Sequence, residues 1–206
     1  MKGEKRRMDR ENAREMLRNK ISEELFCHCQ GVEEAAIRLA DHYGISAEKA
    51  SMAGLLHDFG KTLPENTLLY LAAKYEITDY LTQQEPALLH APVGAWLLKH
   101  EIGVNDIEVL EAVRLHTTGT ENMSLLSKVI YLADFIEPGR SCPGVNKIRE
   151  IAFTNLDDAL LYVVDLTIKY VLDRRKFVHP DSISFRNNII LNLRKKEQEM
   201  QGYGSF

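Results

Sequence analysis

The sequence predicts an all-α protein, a helical bundle of about nine or ten helices. Leu and Ala occur 26 and 16 times, against 11 Val and 14 Ile. Unbranched side chains lose little rotamer freedom in a helix, whereas β-branched side chains are restricted there. Only 12 Gly and 6 Pro interrupt the 206 residues. No segment alternates between apolar and polar residues for long enough to predict a strand.

Apolar spacing and capping residues place the helices in order along the chain. Gly44 suits the position after a helix end, Ser46 suits an N-cap, and Pro64 suits the first position of a helix. The predicted helices cover residues 9–24, 28–43, 47–59, 64–75, 86–100, 105–116, 124–136, 145–153, 156–175 and 181–198. We therefore expect a single domain over residues 21–198. A charged N-terminal arm or helix over residues 1–20 precedes it, and a disordered tail over residues 199–206 follows it.

The charge pattern excludes several classes of partner. A formal net charge of −4 argues against nucleic-acid binding through a broad positive field. The longest stretch without Asp, Glu, Lys or Arg covers residues 86–98, which is shorter than the ~20 apolar residues of a membrane span. The basic N-terminus lacks the apolar segment of a secretory signal, and three irregularly spaced Cys suit a reducing compartment. We expect a soluble, cytoplasmic protein without nucleic-acid or membrane partners.

Acids and histidines within apolar helix faces are the most informative residues. His28 lies on an apolar face, the pair His57-Asp58 ends an apolar run, and Asp134 lies inside the apolar segment 129–136. An ionised carboxylate in such surroundings is costly unless it is paired or bound to a metal. Two such acids on different helices, with few buried cations to compensate them, predict a shared divalent metal ion.

The types of these residues indicate which metal ions the site can bind. Imidazole and carboxylate without thiolate suit iron, manganese or zinc, with positions open for water and substrate. Ligands so far apart in sequence converge only inside a helical bundle. Cys27 and Cys29 flank His28, but residues two apart on a helix point in different directions, so we interpret both as ordinary thiols. Asp165 is a further acid among apolar neighbours. It either orients a ligand histidine or meets a polar partner on another helix.

The order of His28, His57-Asp58 and Asp134 resembles the HD phosphohydrolase superfamily, named for its adjacent His-Asp pair. The resemblance goes beyond the superfamily level, since the sequence is similar to the YqeK-type symmetrical bis(5′-nucleosyl)-tetraphosphatases. It is carried by AGLLHDFGKTLPEN, LLHAPVGAWL, LHTTGTENMSLLSKVIYLADFIEPGR and HPDSISFRN, and it extends from about residue 28 to residue 188. The HTTG and ADFIEPGR blocks are the specific part of this resemblance, since the His-Asp pair is shared by the whole superfamily.

The resemblance implies an all-α HD domain with a buried divalent metal. Iron is the first choice, and manganese, cobalt and zinc are the others. The implied metal ligands are His28, His57, Asp58 and Asp134. The implied substrate-binding residues are Lys61, His90, His116, Thr117, Arg140 and His179.

The expected reaction is hydrolysis of diadenosine tetraphosphate, or a related dinucleoside polyphosphate, to two ADP or GDP-like products. Asp58 is expected to be catalytic by orienting or deprotonating the attacking water, and Lys61 by neutralising the polyphosphate. His90 and His116 are expected to hold phosphate oxygens, to protonate the leaving group, or to ligate a second metal.

Two alternatives stay open at this point. The site acts on another nucleotide, such as guanosine tetraphosphate, a deoxynucleoside triphosphate or a cyclic dinucleotide, or the protein is a metal-bound nucleotide sensor without turnover. Leu25 stands where the family commonly has Arg, which puts one phosphate or ribose contact in doubt; Gly60 stands where Ala is frequent. A homodimer is expected from base rates alone.

Overall fold

The computed structural model describes residues 8–202, and this part of the chain is all-α, with no β-strand. Its eleven helices are α1 (Arg10–Arg18), α2 (Glu23–Tyr43), α3 (Ala47–Leu56), α4 (Glu65–Lys74), α5 (Tyr80–Gln83), α6 (His90–Leu97), α7 (Ile107–Leu115), α8 (Leu125–Ile136), α9 (Val145–Ile151), α10 (Leu156–Asp173) and α11 (Pro180–Gly202). Short 3₁₀ turns cover Phe59–Thr62 and Pro86–Leu88, and a π-helical turn covers Leu98–Ile102. The predicted fold class is confirmed. None of the described helices combines the length and the apolar character that a membrane crossing requires.

The first predicted helix, residues 9–24, is divided into α1 and the start of α2. The prediction was wrong because Ser22 is an N-cap: its hydroxyl accepts a hydrogen bond from the Leu25 backbone N–H at 3.3 Å. The helix α2 therefore begins at Glu23, five residues earlier than predicted. As a result, His28 lies in the second turn of α2, where the surrounding turns fix its backbone.

One helix was missed, and several other boundaries differ from the prediction. Helix α5 is only four residues long, too short for apolar periodicity to reveal it. Helix α11 continues to Gly202, beyond residue 198, where we had expected the domain to end. Residues 1–7 of the predicted arm and 203–206 of the predicted tail lie outside the described residues.

The core lies between helices that are far apart in sequence. Helix α2 packs against α3 and α8, and α7 packs against α3, α6 and α8. Leu39, Leu56 and Leu132 are fully buried in this core. The charged helix α1 belongs to the same body, since its Ala13 and Leu17 are also fully buried. This packing brings one face of α2, the end of α3 and the middle of α8 to a common point.

A buried carboxylate connects α1 to this core. The Glu33 side chain is only 2% exposed, and it accepts hydrogen bonds from Arg10 Nε at 2.6 Å, Arg14 Nη2 at 2.7 Å and the Ser51 hydroxyl at 2.6 Å. Burial alone would raise the pKa of Glu33, but Ser51, Arg14 and Arg10 outweigh it and hold the pKa below its usual value. A lowered carboxyl pKa stabilises the fold at neutral pH, and this contribution is lost as the pH falls through that pKa.

Glu33→Gln is therefore expected to lower the free energy of unfolding at pH 7 by about 1–3 kcal/mol, because charged hydrogen bonds are replaced by neutral ones. The difference in the free energy of unfolding between the variant and the wild type should shrink as the pH falls below the usual carboxyl pKa range. Wild-type Glu33 also becomes neutral as it is protonated there. Urea denaturation at pH 7 and pH 3 measures both values. Asp173→Asn, which removes the exposed pair with Lys169, is the control and should change little. An equal Glu33→Gln effect at both pH values would contradict this account.

Candidate active site

The four predicted metal ligands meet in the core, brought from α2, the end of α3 and α8. The Nε2 atom of His28 lies 3.3 Å from Nε2 of His57, 3.1 Å from Oδ1 of Asp134 and 3.7 Å from Oδ2 of Asp58. The His57 Nε2 atom lies 3.2 Å from the same oxygen of Asp58. His57 and Asp58 are buried, and His28 and Asp134 are partly exposed. The ligand atoms of His28, His57 and Asp58 lie within 4.8 Å of one another, and Asp134 Oδ1 lies beside both histidines, 3.1 Å from His28 Nε2 and 3.9 Å from His57 Nε2.

Adjacent residues share this point because the helix ends between them. His57 still has helical dihedral angles, but Asp58 leaves the helix with φ −96° and ψ 16° and begins the 3₁₀ turn. The side chain of Asp58 therefore does not follow the helical spacing that would direct it away from His57.

Asp58 also faces a second pair of histidines. Its Oδ1 atom lies 3.2 Å from Nε2 of His90 and 3.5 Å from Nε2 of His116, and these two nitrogens are 3.1 Å apart. His90 opens α6, and His116 follows the last residue of α7. The two carboxylate oxygens of Asp58 thus face two neighbouring groups of ligands, His28 with His57 and His90 with His116.

A close backbone contact places His90 there. A Cβ atom added to Gly60 would lie 2.1 Å from the carbonyl oxygen of His90, and one added to Gly94 would lie 2.8 Å from the Gly60 nitrogen. The two glycines allow the turn after Asp58 to lie directly against α6. Gly60, where the resemblance led us to expect Ala, therefore lies at a very tight backbone contact beside the site.

Hydrogen bonds at Nδ1 fix the tautomer of these histidines. The Nδ1–H groups of His57, His90 and His116 donate to the carbonyl oxygens of the residues three positions earlier, at 2.8, 2.8 and 2.7 Å. A carbonyl oxygen can only accept, so the proton of each neutral ring is on Nδ1. The Nε2 lone pairs then point into the cluster, as is typical of histidines that bind a metal.

The arrangement fits a cation. Lone pairs that face each other at 3.1–3.3 Å, as between His90 and His116 and between His28 and His57, repel unless a proton or a cation lies between them. Among the described residues, the buried Asp58 Oδ1 atom has no hydrogen-bond donor, which is costly for a carboxylate unless a cation compensates it. The donors fall into three sets whose atoms lie within 4.8 Å of one another. These donors are imidazole and carboxylate only, a set that suits a divalent transition metal.

Two cations flank the carboxylates of the cluster. Lys61 Nζ lies 2.7 Å from Asp58 Oδ2, and Arg140 Nη2 lies 2.7 Å from Asp134 Oδ1. Burial would raise the pKa of Asp58, but the positive charge of the neighbouring imidazoles when they are protonated, His57 first, holds that pKa well below its usual range. The pKa of Asp134 is likewise held below its usual range, against burial, by His28 and His57. Both acids are therefore ionised at neutral pH.

Glu137 is a site residue that the sequence analysis missed. Its carboxylate is buried; Oε1 accepts from His28 Nδ1 at 3.2 Å, and Oε2 accepts from the Gly139 backbone N–H at 2.5 Å. A Cβ atom added to Gly31 would lie 2.5 Å from that Oε2 atom. The available signal was an acid three residues after Asp134, close to one helical turn away.

The remaining predicted residues have different positions. Thr117 follows His116 directly, in the turn after α7, and is partly buried. His179 is buried outside the cluster: its Nε2 lies 3.0 Å from the Thr82 hydroxyl, and its Nδ1 accepts from the Asp181 N–H at 3.2 Å. In the structure, His179 thus joins α5 to α11, and both of its ring nitrogens are occupied.

Two alternatives from the sequence are resolved by these contacts. Asp165 pairs with Arg186 of α11, so it meets a polar partner on another helix and does not orient a ligand histidine. Cys29 is buried, and burial raises the pKa of its thiol above the ordinary value, while Cys27 is exposed. Neither thiol belongs to a metal-binding group found among the described residues.

Comparison with known proteins gives consistent matches. The family model of the HD domain matches residues 25–139. The "Bis(5′-nucleosyl)-tetraphosphatase, symmetrical" of Bacillus subtilis is 37% identical over 89% of this chain and 98% of its own length. The protein of the same name from Halalkalibacterium halodurans is 39% identical over 89% of this chain and 98% of its own length. A "predicted HD superfamily hydrolase involved in NAD metabolism" from Clostridium acetobutylicum has a crystal structure similar to this one. Its TM-score is 0.86, with 39% identity over 90% of this chain and 99% of that chain.

Proposed function

The chain belongs to the HD domain family and, within it, to the symmetrical bis(5′-nucleosyl)-tetraphosphatases, and from this membership we infer that it hydrolyses diadenosine tetraphosphate to two ADP. The observation that carries this inference is the Asp58 carboxylate, shared between two groups of inward-facing imidazoles and flanked by Lys61. The alignment covers 98% of the length of each of these two relatives.

The metal ligands that we propose are His28, His57, Asp58 and Asp134, with iron as the preferred ion. Asp58, His90 and His116 would suit a second ion, because their ligand atoms also lie within 4.8 Å of one another. When bound, a divalent ion lowers the pKa of a coordinated water and withdraws charge from a phosphoryl oxygen. Support for this assignment comes from the Nδ1 hydrogen bonds that leave the imidazole lone pairs facing inward.

The other side chains act on the substrate and the water. Asp58, ionised and buried, accepts a proton from the attacking water or holds it for attack on an inner phosphorus. Lys61 and Arg140 are about 44% and 45% exposed at their side chains, so both are accessible to a polyphosphate and can neutralise its oxygens. His90 and His116 would contact phosphate if they do not hold a second ion. Thr117 and His179 are proposed nucleotide contacts, and His179 must change its present partners to serve in this way.

Product analysis tests the proposed reaction. Anaerobically purified protein is analysed for metal and then incubated with diadenosine tetraphosphate, guanosine tetraphosphate, a deoxynucleoside triphosphate and a cyclic dinucleotide. We expect ADP as the only product of the tetraphosphate and little turnover of the others. ATP plus AMP would show asymmetric cleavage and contradict the inference. Bound metal without any product would support a nucleotide sensor instead.

Lys61→Ala is expected to lower kcat/KM for the tetraphosphate by about 10²-fold, since one charged contact to the transition state is lost. The metal content should stay that of the wild type, because Lys61 contacts Asp58 but is not a ligand. Steady-state kinetics and metal analysis measure the two properties. Lys147→Ala, at an exposed lysine that contacts Tyr162, is the matched control. Wild-type kinetics for Lys61→Ala would remove this residue from the site.

A further inference from the structure

The side chain of Arg149, on α9, connects to the segment that follows α8. Its Nε donates to the carbonyl oxygen of Ile136 at 2.9 Å, and its Nη2 donates to the carbonyls of Glu137 at 2.6 Å and Arg140 at 2.9 Å. Its Nη1 donates to Oδ1 of Asn146 at 2.9 Å. One guanidinium thus binds three backbone carbonyls within five consecutive residues.

These carbonyls need a donor because α8 ends there. The last carbonyls of a helix have no intrahelical partner, and Glu137 leaves the helix with ψ 154°. A backbone hydrogen bond from Arg140 N to the Glu137 carbonyl, at 3.0 Å, closes the turn. The planar guanidinium, with its several N–H groups in fixed directions, matches such a set of oxygens better than the ammonium of Lys does.

The same turn supplies two groups to the active site. Glu137 accepts the Nδ1–H of His28, and Arg140 donates through Nη2 to Asp134 Oδ1 at 2.7 Å and through Nε to the Asp134 carbonyl at 3.0 Å. The other three imidazoles donate to carbonyls three residues earlier. His28 alone is oriented by a residue from a distant part of the chain, so its orientation depends on this turn.

We propose that Arg149 is a positioning residue of the active site: by binding the carbonyls of Ile136, Glu137 and Arg140, it holds Glu137 against His28 and Arg140 against Asp134. Arg149 touches none of the proposed metal ligands. Its effect on metal binding therefore passes through the turn, and loss of a residue that orients a ligand typically weakens metal affinity about 10–100-fold. The inference rests on the proposed metal ligands and does not depend on which substrate is hydrolysed.

The surroundings of Arg149 make a chemical-rescue experiment possible. Arg149 lines two cavities of about 480 and 420 Å³, one beside α2 and one beside the loop that precedes α9. A free guanidinium ion can therefore reach the position left by Arg149→Ala. Arg38, an exposed residue of α2, lines the first cavity and lies over the Phe153 ring at 5.3 Å. Arg38→Ala removes a guanidinium from the same neighbourhood and is the matched control.

The test uses the full chain and two readouts that do not require turnover. In the metal-free protein, hydrogen exchange of the peptide covering residues 134–144 should be faster in Arg149→Ala than in the wild type. The Mn²⁺ dissociation constant, measured by calorimetry, should rise about 10–100-fold. Millimolar guanidinium, far below denaturing concentrations, should reverse part of both changes, whereas Arg38→Ala should show neither. If Arg149→Ala does not fold, Arg149→Lys is expected to shift both values in the same direction.

Wild-type exchange and wild-type Mn²⁺ affinity in the Arg149 variant would overturn the proposal. A global loss of stability with faster exchange throughout the chain, and no guanidinium rescue, would also overturn it, since this is the result of a merely structural role. Failure of the wild-type protein to hydrolyse the tetraphosphate contradicts the proposed function alone. In that case the hydrogen-exchange measurement still tests the proposed positioning role of Arg149.

Discussion

Asp58→Asn is expected to abolish hydrolysis of diadenosine tetraphosphate and metal retention together. Asp58 faces both groups of histidines, through separate carboxylate oxygens. The amide has nearly the same shape but no negative charge, and its NH₂ group turns a donor towards lone pairs. We expect kcat/KM to fall by about 10³-fold or more, the loss typical of a group on which the chemistry depends. Steady-state kinetics and metal analysis of purified protein measure both effects.

Asp157→Asn provides a matched control for this substitution. Asp157 is also a buried carboxylate, paired with Lys128 at 2.9 Å and Lys196 at 2.7 Å, but it lies outside the metal-binding groups of the described residues. This variant should lose stability while it keeps metal and activity. If Asp58→Asn retained both metal and turnover, the assignment of the active site to this cluster would be wrong.

The sequence was sufficient to predict that Asp58 and Asp134 would lie near His28 and His57, because buried charge is rare. Apolar surroundings made Asp58 and Asp134 conspicuous, and a buried carboxylate requires compensation wherever the helices place it. The same reasoning does not extend to geometry. The carboxylate of Asp58 faces two groups of histidines because the helix ends between His57 and Asp58 and because Gly60 lies directly against α6. Neither leaves a periodic signal in the sequence.

What the sequence analysis missed concerns residues that act through long-range contacts. Glu137 and Arg149 are charged residues near helix ends, where charge is usually solvated, so composition gives no reason to select them. His179 illustrates the opposite case: the resemblance selected it, and the structure places it between Thr82 and Asp181. The predicted helix boundaries were wrong where a capping residue could equally well have stood inside a helix, as at Ser22. For Glu137 and His179 the role is determined by a partner distant in sequence, His28 and Thr82 respectively.

Phe185→Ala is expected to lower the free energy of unfolding by about 3–5 kcal/mol, the usual cost of removing a fully buried Phe. Phe185, on α11, is 0% exposed and meets the Tyr131 ring edge-on, with centroids 5.2 Å apart. A Cβ atom added to Gly119, which has φ +66°, would lie 2.5 Å from the Phe185 ring. Phe185 therefore packs directly on the turn after His116. Urea denaturation at pH 7 measures the change in stability.

The position of Phe185 adds a prediction about the substrate. The Ser182 hydroxyl, one turn earlier on α11, donates to the Thr118 carbonyl at 3.0 Å, so the turn containing Thr117 is held by both residues of α11. A cavity under this turn should raise KM for the tetraphosphate, because Thr117 loses its fixed position, while the ligands on α2 and α8 keep theirs. Phe177→Ala, at a ring that is 40% exposed, is the control and should change neither value appreciably. If Phe185→Ala lowers the stability but leaves KM unchanged, the turn that contains Thr117 does not contribute to substrate binding. The role of α11 would then be to stabilise the fold.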